Sequence, residues 1–177
     1  SIVKAKAVDL FSEAQVLREI RNEEEYEQAL ALMDELIEGR DIRNAVRAEY
    51  MKINQGLKQG TMTEKQAIRA LDKLRYKWRG DGFELTVLRR LSEVYIDDDD
   101  YFNGLDIMRT AVTYFPDELV AEQMADKMLD IFRDLFLEGG ADALPPLRAL
   151  AIFDEFRELA PVGPEGHLMI EMLADRL

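Results

Sequence analysis

The chain has 177 residues, 47% of them hydrophobic and 33% charged, with no cysteine and 23 basic against 36 acidic side chains for a net charge of −13. That apolar content is ample for a core, which excludes wholesale disorder, and the lack of thiols removes disulfides, cysteine nucleophiles and cysteine-ligated metal centres. The negative charge argues against nucleic acid and anionic lipid, no run approaches the ~20 apolar residues that span a bilayer, and Ser1-Ile2-Val3-Lys4 lacks the apolar heart of a secretory signal.

Apolar residues recur at three- and four-residue steps along nearly the whole chain, the period of a helix rather than a strand. Val3, Ala7, Leu10, Phe11, Ala14, Leu17 and Ile20 predict a helix over 3–20. Asn22 offers an N-terminal cap to a second, carried by Tyr26, Ala29, Leu30, Met33, Leu36 and Ile37 and stopped at Gly39. A third is expected over 40–59, and Gly60-Thr61-Met62 turns the chain into a fourth over 63–78, opened by the capping box Thr63-Glu64-Lys65-Gln66. Gly80-Asp81-Gly82 breaks the pattern. Helices over 83–96 and 101–115 then flank the acidic turn 97–100, where Asp99 or Asp100 caps the second of them, and Pro116 closes the pair. A longer helix is expected over 117–137, followed by an insertion to Leu144. The next begins near Pro145 or Pro146, where a first-turn proline is tolerated, and runs to Ala160-Pro161. Residues 162–166 read as a loop and 167–177 as a last helical segment, still amphipathic where it stops, which suggests a piece of a longer protein. The expected fold class is therefore all-α, about nine helices in antiparallel pairs stacked as a right-handed superhelix. It forms one domain with approximate units 1–39, 40–80, 81–116, 117–161 and a partial 162–177.

The best-formed pair spans 85–116. Leu85, Leu88, Leu91, Ser92 and Tyr95 fill the packing positions of its first helix, and Gly104, Met108, Ala111 and Pro116 those of its second. Ser92, Gly104 and Ala111 are small where two helices would cross and press together. This pattern resembles a tetratricopeptide repeat, with Leu88, Ser92 and Gly104 as departures that keep the size class. Tyr76-Lys77-Trp78-Arg79-Gly80-Asp81, Ala111-Val112-Thr113-Tyr114-Phe115-Pro116 and the stretch from Phe156 to Pro164 are further similar to large alphaproteobacterial tetratricopeptide-repeat proteins over about residues 63–177. The resemblance implies a bacterial scaffold without catalytic residues, binding a peptide or protein surface on the concave face of its first helices. Thr86, Arg89, Glu93, Ile96 and Asp97 would face that groove. Glu93 stands where clamping a C-terminal carboxylate would want an asparagine.

Other chemistry is weakly supported. His167 is the only histidine and no serine-centred nucleophile elbow accompanies it, so it receives no role. Asp97-Asp98-Asp99-Asp100 fails as a calcium loop, because the sixth position from Asp97 is Phe102 and the twelfth is Met108. Asp154 with Glu158, or Asp126 with Asp130, can be drawn as acid/base pairs, but i, i+4 carboxylates usually mark a solvated helix face. The glycines at 80, 82, 139, 140, 163 and 166 lack the lysine and strand context of a phosphate loop. Charge is the more informative surface feature: residues 1–80 carry 15 basic and 14 acidic side chains, residues 81–177 carry 8 and 22. In the first part Arg69, Lys73, Arg75, Lys77 and Arg79 accompany Tyr76 and Trp78. Helical phase reads that mix as core packing with a solvated basic flank, and as a site for an acidic protein surface if it is functional.

The expectation is thus a non-enzymatic protein-interaction module without cofactor or metal, neither binding nucleic acid nor inserting in a membrane, in a bacterial cytoplasm or periplasm. Its alternatives are a structural spacer and a carboxylate-based helical enzyme.

Overall fold

The computed structural model describes residues 25, 27–31, 33, 42–79 and 82–176. The helix expected over 3–20 lies outside the described residues, as does much of the one over 26–37, although residues 25, 27–31 and 33 are helical. The described residues contain helices and turns and no strand. In chain order they form α1 (Ile42–Lys58), α2 (Glu64–Lys77), α3 (Gly82–Asp97), α4 (Tyr101–Tyr114), α5 (Leu119–Phe136), α6 (Pro146–Glu155) and α7 (Pro164–Ala174). Single 3-10 turns lie at Gly140–Ala143 and Arg157–Leu159. The chain divides into two compact units, Ser1–Val87 and Leu88–Leu177.

In the first unit α1 packs on α2. Ala67, Leu71 and Leu74 bury the stripe that four- and three-residue spacing places on one face of α2, and Val46, Ala48 and Ile53 are buried on α1. The connection turns tightly at Gly60, in the left-handed region at φ +70. Thr63 then caps α2 as its sequence predicts. Its hydroxyl accepts from the Gln66 amide at 3.3 Å, and the Gln66 side-chain oxygen accepts from the Thr63 amide at 2.9 Å.

In the second unit α5 is the central element, packed by α4, α7 and both 3-10 turns. Phe132 and Phe136 are fully buried on it, and the Phe153 ring of α6 lies 5.5 and 5.0 Å from theirs. The small residues expected where α3 and α4 approach one another are buried: Ser92, Gly104 and Ala111. The Ser92 hydroxyl donates to the Arg89 carbonyl at 2.7 Å, so its burial leaves no orphaned polar group. Asp100 is the cap of α4, accepting from the Asn103 amide and side chain, and it also pairs with Arg148 of α6 at 3.0 Å.

Three boundaries differ from expectation. The helix expected over 117–137 starts at Leu119, with Glu118 at its N-cap. The one expected to reach Ala160 stops at Glu155, because Phe156 leaves helical geometry and is wholly buried, so the backbone tightens into the turn Arg157–Leu159. The last helix starts at Pro164 rather than His167. Gly163 has φ +110, and proline's fixed φ suits the first turn, so a Gly-Pro pair that reads as loop is here a helix start.

Candidate functional site

Residues 42–79 carry 10 basic side chains and 3 acidic ones, a strong local excess of positive charge in an acidic chain. Where α1 meets the end of α2 and the start of α3, that charge is arranged around aromatic rings. Arg43 and Arg47 lie four residues apart on one face of α1, their guanidinium carbons 5.3 Å from the Trp78 ring and 5.9 Å from the Phe83 ring. Arg75 and Arg79 lie 4.8 and 5.2 Å from the Tyr76 ring. Tyr50 braces the Phe83 ring edge-on at 5.6 Å. α2 ends at Lys77 and Trp78 is extended, which turns this run of alternating bases and rings off the helix. Tyr76 is 60% exposed. Trp78 and Phe83 are half-buried and Arg43 and Arg79 are exposed.

Some of this charge is neutralised internally. Lys77 pairs with Glu49 at 2.6 Å, and Arg75 Nε lies 2.9 Å from an Asp72 carboxylate oxygen, close enough for attraction but off the N–H direction of a hydrogen bond. Arg43, Arg47 and Arg79 pair with no carboxylate among the described residues. A guanidinium stacked on a ring has one face covered and can present its N–H edges to a carboxylate or phosphate in bidentate fashion. The sequence reading found the residues of α2 here but missed Arg43 and Arg47, whose partners lie some 35 residues along the chain.

The groove candidates expected from sequence sit on α3 and are held largely by their own helix. Arg89 Nε donates to Glu93 at 3.1 Å, Arg90 donates to the other oxygen of the same carboxylate at 3.0 Å, and the Thr86 hydroxyl donates back to the Gly82 carbonyl at 2.9 Å. Ile96 lies against Gly104, where an added Cβ would stand 2.5 Å from its Cδ1. Arg89 and Glu93 border a small hollow of about 90 Å³ with Gln123 and Lys127 of α5.

The remaining candidates are dispersed. His167 is exposed, as are Asp126 and Asp130 on α5. Asp154 pairs with Arg157, and Glu158 with Arg109 at 3.5 Å. Asp99, at φ 58 in the acidic turn, accepts from the Tyr101 hydroxyl; burial first, then the Asp99 charge, raises the Tyr101 phenol above its ordinary pKa. Among the described residues no group of three or more acidic or histidine side chains could hold a metal ion, and no helix is long and apolar enough to cross a membrane.

Residues 1–47 match the HigA antitoxin, N-terminal domain. Its last residues are the beginning of α1, including Arg43 and Arg47 of the aromatic cluster. Neither a curated protein nor a solved structure matches the chain. The match corrects the tetratricopeptide resemblance, because the family found is an antitoxin domain. The groove-binding scaffold, the spacer and the carboxylate enzyme are withdrawn with it. The physical reason for the error is plain: any two closely crossing helices need small residues at their contact, so Ser92, Gly104 and Ala111 identify a helix pair and not a family. The exclusion of nucleic acid also lapses, since it rested on a net charge that residues 42–79 do not share.

Proposed function

We propose that the chain is an antitoxin-type regulator, a non-catalytic protein that binds a partner protein and holds it inactive. The arginine–aromatic cluster of the first unit is the contact surface in this reading. One observation carries it: the segment similar to the antitoxin domain ends in Arg43 and Arg47, which stand over Trp78 and Phe83 and pair with no carboxylate among the described residues. Leaving several guanidiniums unpaired on a surface costs stability through mutual repulsion, and a partner that supplies the counter-charge recovers it.

The test is functional neutralisation. The partner is isolated from the source cells on the immobilised chain, identified, and produced alone and together with the chain. The proposal expects the partner alone to slow growth and the wild-type chain to restore it at a one-to-one ratio, with an Arg43→Glu/Arg47→Glu variant failing to do so. A partner neutralised equally well by the variant removes the arginine–aromatic cluster as the contact surface, and one harmless on its own overturns the reading. Duplex DNA serves as a parallel ligand, and DNA binding without any protein partner overturns it as well.

A further inference from the structure

The geometry points to a specific chemistry for that surface: Arg43, Arg47 and Arg79 form a docking site for a carboxylate-rich segment of a partner protein. This rests on the partner-binding reading above and goes further, naming what is bound.

The choice between an acidic segment and nucleic acid is made by the rings. Sequence-tolerant binding of single strands draws much of its strength from bases stacking on free aromatic faces. Here Tyr76, Trp78 and Phe83 each carry a guanidinium at 4.8 to 5.9 Å, and Tyr76 carries two. At each of these contacts a base would have to displace an arginine before it could stack. What the surface offers instead is three guanidiniums lying over rings and paired with no carboxylate among the described residues. A planar carboxylate answers a guanidinium edge with two parallel hydrogen bonds. Because the rings already restrict the arginine side chains, less rotamer entropy is lost when the bonds form.

A fluorescein-labelled decapeptide of alternating glutamate and alanine provides the probe, with its lysine counterpart and a ten-nucleotide single-stranded DNA as comparisons, read by anisotropy on the full chain. The chain's single tryptophan, Trp78, lies beneath Arg43 and gives a label-free second signal. The expected result is saturable binding of the acidic peptide with a shift in Trp78 emission, and weaker binding of DNA. Affinity should fall at least about tenfold in Arg43→Gln/Arg47→Gln/Arg79→Gln. Arg79→Lys, which keeps the charge and loses the fork, should fall by severalfold. Lys58→Gln/Lys65→Gln removes exposed charge elsewhere in the same unit and should change little. Equal losses in the lysine and arginine variants, tighter binding of DNA than of peptide, or no peptide binding each overturn the inference. Failure here is separable from failure of the functional reading: a partner neutralised alike by the wild type and the triple arginine variant would sink this inference while sparing the antitoxin-type role. Thermal melts of every variant confirm that the fold is intact.

Discussion

At the scale of single residues, two glycines show how closely the second unit is built. A Cβ at Gly166 would stand 2.1 Å from the Pro161 carbonyl oxygen, whereas one at Gly104 would meet chiefly the end of the Ile96 side chain at 2.5 Å and the Ser92 carbonyl at 3.3 Å. A backbone oxygen moves only with its chain, while an isoleucine terminus can change rotamer. Gly166→Ala is therefore expected to cost about 3 kcal/mol, at the upper end of overpacking effects. Gly104→Ala should cost about 1 kcal/mol, since the gain in helix propensity offsets part of the crowding. Urea unfolding of the two variants decides the order, and a Gly104→Ala variant the less stable of the pair would refute it. Gly104 was legible in the sequence because it falls at a helix crossing in a recognisable pattern. Gly166 was not, because Val162-Gly163-Pro164-Glu165-Gly166 has the composition of a loop and the clash depends on where the Pro161 carbonyl points.

Among elements, two kinds of contact hold the helices, and they differ in how far sequence reveals them. The capping box at Thr63 is local, spelled by four consecutive residues, and it formed as expected; Thr63→Ala should lower stability by about 1 kcal/mol, seen as a lower urea midpoint with unchanged slope. Arg109 is the opposite case. From α4 it donates to Glu155 at 2.7 Å and to Asp106 at 3.0 Å, lies 3.5 Å from Glu158, and covers the buried Phe156 ring at 4.7 Å. Its bond to Glu155 is the foremost cause that holds its guanidinium above the ordinary pKa, so it remains charged throughout the accessible range. The Arg109 side chain is partly solvated, so each ion pair contributes little alone, and most of the effect comes from anchoring the end of α6 and shielding a ring. Arg109→Ala should cost about 1–2 kcal/mol, and Arg109→Lys, which keeps a charge but not the planar stack, should recover less than half of that. Full recovery by lysine would mean that charge alone matters. Helical period shows nothing of this contact, because its partners lie 46 residues apart.

For the molecule as a whole, the all-helical class was legible because apolar periodicity depends only on neighbouring residues, whereas the expected superhelical stacking, which is not confirmed, and the candidate surface both depend on distant contacts, such as those that bring residues 43 and 47 against 78 and 83. Net charge concealed it too: the total of −13 is an average over a basic stretch at 42–79 and an acidic one at 82–176. That segregation makes added salt act on two properties in opposite directions. Like charges repel within each stretch, so screening them should favour the compact state. Raising sodium chloride from about 20 to about 500 mM shortens the screening length from roughly 20 Å to roughly 4 Å, and a gain of about 1 kcal/mol would lift Tm by roughly 2–4 °C. The same change should weaken the acidic peptide on Arg43, Arg47 and Arg79, because that attraction is screened at the surface where it acts. A Tm that falls with salt would instead mean that internal pairs such as Arg109–Glu155 and Arg148–Asp100 outweigh the repulsion. Peptide affinity indifferent to salt would mean that the guanidiniums do not make the contact. Sodium sulfate at matched ionic strength separates screening from preferential exclusion: if only sulfate stabilises the chain, the cause is exclusion from the protein surface and the repulsion argument fails.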